Sequence, residues 1–320
     1  MTKKMMKVAM KLSKIVYIGN PEFAIGPLKH LQKSEDFDIK LVITQMDKKR
    51  SRGKLLPVAV KKYAINEDLP VFSTDNINSD ESIEMIKSVD PDFIIIVAFG
   101  QFLSRSFLNT FKDKVLNVHA SILPQYRGAS PINHSLLNGD DETGVSIMLV
   151  DSGMDSGDVL KICKLKIDKN HNYNSLSEDL SELGGICLVD TLRNFDDLFS
   201  NRMIQNSEEA TYTGFITKDM GKIDFNEDAV VINNKMRALY SWPKLFFEYN
   251  DQTVKLHDFD IVEKFSENEP GQIIKVNEEG IFVNCNDKCL VMKEIQFPGK
   301  KRMSVSDYLK GNQIEKVKLR

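Results

Sequence analysis

The chain has 320 residues, 42% of them hydrophobic and 28% charged, with a formal net charge of −3. That length holds two domains with ample core, and the charge balance excludes a globally basic nucleic-acid binder, so any such contact must come from a local patch. The longest purely apolar run, Phe93–Phe99, is far too short to cross a bilayer, and no membrane association is expected.

In chain order, a basic extension over residues 1–13 carries Lys3, Lys4, Lys7 and Lys11 and no acid. A basic, acid-free start can be a mitochondrial address, but this one has no arginine, and no secretory segment follows. Lys14–Ile18 reads as a short strand closed by Gly19-Asn20-Pro21, and Pro21 suits the first turn of a helix. Phe37–Thr44 reads as a strand, Pro57–Asn66 as a helix, Val71-Phe72 as a short strand and Ser79–Val89 as a helix. Phe93–Ala98 is apolar at every position, as a central parallel strand covered on both faces would be. Val115–His119 is another strand and Pro131–Leu137 a helix. Strands alternating with helices in this way predict an open, doubly wound, Rossmann-like α/β sheet.

Beyond Gly144 the pattern changes. Val145–Val150 and Val159–Ile167 read as strands, and Ser175–Phe199 as a long helix interrupted by Gly184-Gly185. The first domain is taken as 14–204 and a polar linker as 205–217. Five short strands then follow, at Phe246–Asn250, Val254–Ile261, Gly271–Val276, Gly280–Asn284 and Leu290–Phe297. Their spacing predicts a small OB-like β-barrel over 218–320.

Four cysteines, Cys163, Cys187, Cys285 and Cys289, form no disulfide framework in a chain this long, and a reducing cytoplasm fits them. Cys285 and Cys289 flank a turn-like Asn-Asp-Lys stretch and lack a second ligand pair, so no metal site is expected. The glycines near residue 19 do not follow the dinucleotide fingerprint, so the sheet alone does not imply that cofactor.

The chemistry concentrates in three blocks. Asn117 and His119 are two apart on a strand and share a face at its C-terminal end, where open α/β sheets bind ligands; taken alone, the pair reads rather as His119 capping the following loop and Asn117 binding backbone. Ser121–Pro131 carries Pro124 and Gly128, marks of a rigid loop. An exposed Tyr126 and Arg127 there suggest a ligand, with a plain surface turn as the alternative. Asp151–Asp158 holds three acids and two glycines. It fails the EF-hand spacing but can supply one carboxylate beside a histidine, which would favour imidazolium. The loop Gln45–Lys61 gathers Lys48, Lys49, Arg50, Arg52 and Lys54 around Gly53, and the tail from Lys300 carries seven basic residues against two acidic ones. Either could track a phosphate backbone or be a solvated face. Trp242 reads as packing between elements.

These blocks closely resemble the folate-dependent formyltransferases. The long form Ser-Ile-Leu-Pro-Gln-Tyr-Arg-Gly-Ala-Ser-Pro, with Gly19–Ala24, Ala98–Gln101 and Pro298–Met303, is similar to the methionyl-tRNA formyltransferase branch, and the likeness runs from residue 14 over nearly the whole chain. Asn20, Phe99 and Gln125-Tyr126 depart mildly from the usual residues. The resemblance implies a catalytic trio of Asn117, His119 and Asp155. It places the formyl donor, 10-formyltetrahydrofolate, against Phe99, Gly100, Gln101, Ser121, Ile122, Leu123 and Pro124. It implies initiator methionyl-tRNA as acceptor, held by Arg50, Arg52, Lys54, Lys300, Lys301 and Arg302, in a monomer that needs no metal. An amino-sugar formyltransferase would share the trio but is disfavoured by the basic loop and tail. A dehydrogenase-type relative would need a further domain, for which this length leaves no room. A non-catalytic RNA-binding protein would not need the trio.

Overall fold

The computed structural model describes residues 12–47, 57–264 and 267–319. The residues of the basic extension up to Lys11, and Arg50, Arg52 and Lys54 of the basic loop, lie outside them. The chain forms two compact units. The first takes the chain up to Gly128, Glu142–Lys166 and Ser177–Thr213; the second takes Ala129–Asp141, Ile167–Leu176 and the chain from Gly214.

In the first unit, β1 (Ser13–Gly19), β2 (Phe37–Gln45), β3 (Val71–Thr74), β4 (Phe93–Val97) and β5 (Val115–His119) pair in parallel. After β6 (Arg127–Gly128), β7 (Glu142–Leu149) and β8 (Val159–Lys166) extend the sheet antiparallel, giving the order β3-β2-β1-β4-β5-β7-β8. β9 (Tyr212–Thr213) pairs with β6 in a separate parallel ribbon. The helices of this part of the chain are α1 (Ile25–Lys33), α2 (Ala59–Asn66), α3 (Asp80–Ser88), α4 (Arg105–Thr110), α5 (Pro131–Asn138), which belongs to the second unit, α6 (Tyr173–Arg193), whose first turn does too, and α7 (Phe195–Ser200). Alternate residues of each strand serve the two faces of the sheet. Val16, Ile18, Ile43, Ile94 and Ile96 share one core with Ile83 and Ile86 of α3 and Phe107 of α4. Each fully buried aliphatic side chain there contributes ~1.5–3 kcal/mol. Ser79 and Ser104 cap α3 and α4 by accepting the N–H groups of Ser82 and Phe107 at 3.2 and 3.1 Å, worth ~1 kcal/mol each.

The Gly184-Gly185 pair does not interrupt α6, which runs unbroken from Tyr173 to Arg193; the break comes at Asn194. A Cβ on Gly185 would lie 2.3 Å from the ring of His30, and one on Gly184 3.2 Å from Val118. The pair lets α6 lie close against α1 and the sheet, a packing demand that reads in sequence like a helix break. The cysteine expectation is also corrected: Cys163 on β8 and Cys187 on α6 form a disulfide, with Cα atoms 6.2 Å apart. Nothing local links two cysteines 24 positions apart; the helix lying across the strand does.

In the second unit, α5 packs on α8 (Ala229–Ala238), and Asn133 Nδ2 donates to the carbonyl of Ala238 at 2.7 Å. The remainder is an antiparallel sheet of β10 (Leu245–Tyr249), β11 (Gln252–Val262), β12 (Ile273–Asn277), β13 (Gly280–Asn284), β14 (Cys289–Gln296) and β15 (Met303–Ser304), followed by α9 (Val305–Leu309). Its order is β10-β11-β14-β13-β12, with β15 on β14. Among the described residues no pairing joins β10 to β12, so the pairing is that of an open sheet rather than a closed barrel. Five of the six strands and their spacing were readable, the two-residue β15 being missed; closure depends on two distant strands that no local pattern relates. Cys285 and Cys289 are buried thiols flanking the β13–β14 turn, and burial pushes Cys289 up to about 11. No helix of the described residues is long and apolar enough to cross a membrane.

Candidate active site

β4 and β5 are neighbours, so the loops leaving their C-terminal ends open side by side. After β4 the backbone turns through Ala98 and Gly100 at φ +48° and +78°. The carbonyl of Phe99 accepts two amides there, Asn20 Nδ2 at 2.7 Å and Gln45 Nε2 at 2.8 Å. Asn20 also accepts the Gln45 N–H at 2.8 Å through Oδ1. Phe99 is buried, and Gln101 ties the loop down by accepting the Ile77 N–H and donating to Asp75 O. Sequence reading noted Asn20 only as a departure from the family pattern; Gln45 carried no signal.

After β5, Ser146 of β7 organises the next loop. Its Oγ accepts the Leu123 N–H at 3.1 Å and donates to the Ser121 carbonyl at 2.7 Å. Ser121 is fully buried and donates to the Gln125 carbonyl at 2.6 Å. Leu123 is buried, and Ile122 and Pro124 are half-buried.

Asn117, His119 and Asp155 come together. Asn117 Nδ2 donates to Asp155 Oδ1 at 3.3 Å, and His119 Nδ1 lies 3.6 Å from Asp155 Oδ2. The same Oδ2 accepts the Gly128 N–H at 2.8 Å. His119 Nε2 is 2.9 Å from the Tyr126 carbonyl; a carbonyl only accepts, so Nε2 carries a hydrogen. His119 is buried and Asp155 half-buried. The carboxylate thus holds one amide, faces one imidazole nitrogen and is fixed by one backbone N–H. Such a set can donate to a developing oxyanion and move a proton.

Arg127, expected to be exposed, is 2% exposed. Its guanidinium is taken up by Gln205 and Tyr212, neither of which drew notice in the sequence. Trp242, expected to pack between elements, is 55% exposed. Lys300, Lys301 and Arg302 all belong to the second unit and are exposed, with Arg302 paired to Glu294. Lys244 and Lys255 add to the positive charge there: burial first, and then Arg302 and Lys255, hold the Lys244 ammonium below its ordinary range. A cavity of about 360 Å³ lined by Arg105, Leu108, Phe111, Val115 and Asp151 is not this site, since Val115 begins β5 and His119 ends it.

Residues 13–192 match the formyl transferase family and residues 215–313 its C-terminal domain. The chain is 45% identical to the methionyl-tRNA formyltransferase of Finegoldia magna, covering 95% of this chain and 98% of that one. It is 39% identical to that of Clostridium acetobutylicum over the same shares. Among solved structures, an N-formyltransferase from Helicobacter canadensis, in complex with folinic acid and dTDP-3-aminofucose, superposes with a TM-score of 0.63 at 20% identity, covering 88% of this chain and 99% of that one. With both domains matched in order and relatives alike over 95% of this chain, the chain belongs to the formyltransferase family.

Proposed function

We propose that the protein transfers the formyl group of 10-formyltetrahydrofolate to the amino group of methionine on initiator methionyl-tRNA. The amine nitrogen attacks the formyl carbon, and the carbonyl oxygen becomes an oxyanion. The bond from that carbon to the folate nitrogen then breaks; the amine loses a proton and the folate nitrogen gains one. An amide nitrogen carries two hydrogens, so Asn117 can hold Asp155 with one and offer the other to the oxyanion. His119, set between Asp155 and the Tyr126 carbonyl, is the group that carries the proton. The donor lies against the loops Phe99–Gln101 and Ser121–Pro124. The tRNA is held by Lys300, Lys301 and Arg302, beside the antiparallel sheet of the second unit, and by Arg50, Arg52 and Lys54. The protein acts as a monomer in the cytoplasm.

The observation that carries this reading is the convergence of Asn117 and His119 on one carboxylate, Asp155, at the open end of the sheet. Likeness to methionyl-tRNA formyltransferases over nearly the whole chain supports the acceptor. The test follows radiolabelled formyl from the folate donor onto charged initiator tRNA, with dTDP-amino sugars as competing acceptors. Label should appear on methionyl-tRNA; label on the sugar alone overturns the reading.

A further inference from the structure

Arg127 is a buried cation with an uncommon set of partners. Its Nε and Nη2 both donate to Oε1 of Gln205, at 3.0 and 2.9 Å. Its Nη1 donates to the Tyr212 hydroxyl at 3.2 Å, and the guanidinium stands 5.9 Å from the centroid of that ring. The other end of Gln205 faces the opposite way: Nε2 donates to the Asp155 carbonyl at 2.9 Å and to the Gly157 carbonyl at 2.7 Å. A guanidinium only donates and a carbonyl only accepts, so the group between them needs an acceptor at one end and a donor at the other. A side-chain amide has both.

The backbone held in this way is the one that presents Asp155. That residue stands at φ +48°, in the left-handed region that side-chain-bearing residues adopt at a cost. The loop has little room to relax, since a Cβ on Gly157 would lie 2.0 Å from the Leu149 carbonyl oxygen. The carboxylate reaches Asn117 at 3.3 Å and His119 at 3.6 Å, distances at which a small backbone shift would break either contact.

We infer that Gln205 is a positioning residue for formyl transfer: by joining the buried guanidinium of Arg127 to the backbone of Asp155, it sets the Asp155 carboxylate against Asn117 and His119. The inference rests on the reading that this trio carries the reaction.

The test is a double-mutant cycle in the full chain, with Gln205→Glu, Asp155→Asn and the two combined. Glutamate keeps the acceptor for Arg127, so the buried cation stays paired, but it cannot donate to the two carbonyls. Alone, Gln205→Glu should lower kcat ~10²-fold while KM for the formyl donor stays within about twofold, as a misplaced catalytic group would. In the Asp155→Asn background the same substitution should cost less than about threefold, because there is no carboxylate left to place. If Gln205→Glu does not fold, Gln205→Asn, too short to span both partners, takes its place in the cycle. Near-normal turnover of Asp155→Asn overturns the trio and this inference with it. A large loss for Asp155→Asn beside an unchanged kcat for Gln205→Glu overturns this inference alone. So does a Gln205→Glu loss of the same size in both backgrounds, which would mark a general structural role.

Discussion

The surroundings of Asp155 and the strip Lys300–Arg302 handle charge in opposite ways. Around Asp155 the ionic groups are enclosed and answered largely by neutral partners: a buried guanidinium on an amide and a phenol, and a carboxylate on an amide and a backbone N–H. Along Lys300–Arg302 the cations stand in solvent. Enclosed neutral partners fix an orientation and lose little to salt. Exposed cations fix almost nothing but can follow a phosphate backbone. The difference suits chemistry in one region and adhesion in the other.

The sharpest way to break that contrast is at the trio. His119→Ala and Asp155→Ala should each lower turnover by ~10²–10³-fold with binding of the formyl donor preserved; near-normal steady-state turnover in either variant would deny the enclosed region its chemistry. Next in size is the clamp on Phe99. Removing Asn20 and Gln45 side chains together deletes two hydrogen bonds to one carbonyl. At ~1 kcal/mol each, KM for the donor should rise up to ~30-fold with kcat little changed. A loss confined to kcat would place that loop with the trio instead.

The exposed strip should answer differently. Lys300→Ala with Lys301→Ala should weaken tRNA binding several-fold and flatten the dependence of log affinity on log salt by ~1–2, leaving kcat at saturating tRNA intact. A salt slope unchanged from the parent would show that these lysines are only solvated. The smallest effect concerns His257 of the second unit. Burial first, and then Lys244 and Arg302, depress its proton affinity, against a raising hydrogen bond from Gln296. Its folded pKa lies below its unfolded value, so the unfolded chain binds more protons and stability is lost as pH falls through the ordinary histidine range near ~6.5. The thermal midpoint should drop between pH 7.5 and 5.5, and less so in His257→Asn. An equal drop in both would assign the titration elsewhere.

Much of this was legible in the sequence. The apolar strands, the shared face of Asn117 and His119, and the acidic loop holding Asp155 are local patterns with a period of two or a cluster of turn residues. What was not legible depends on partners far along the chain. Arg127 looked exposed because Gln205 lies 78 positions away, and Gln205 itself sat in a polar stretch read as a linker. Gly184-Gly185 looked like a break because close packing and helix ending both call for glycine. α8 was missed because Asn233 and Asn234 blur its apolar period, although Asn234 is buried.

The pairing of α5 with α8 also bears on synthesis. Ile132, Asn133, Ser135 and Leu136 of α5 are buried, and Asn133 bonds a residue 105 positions later. At ~5–20 residues per second, the apolar side of α5 leaves the ribosome roughly 5–20 s before α8 can cover it. During that interval the growing chain carries an uncovered helix face that a chaperone could hold. A chain stopped short of Ala229 would keep that face bare for good.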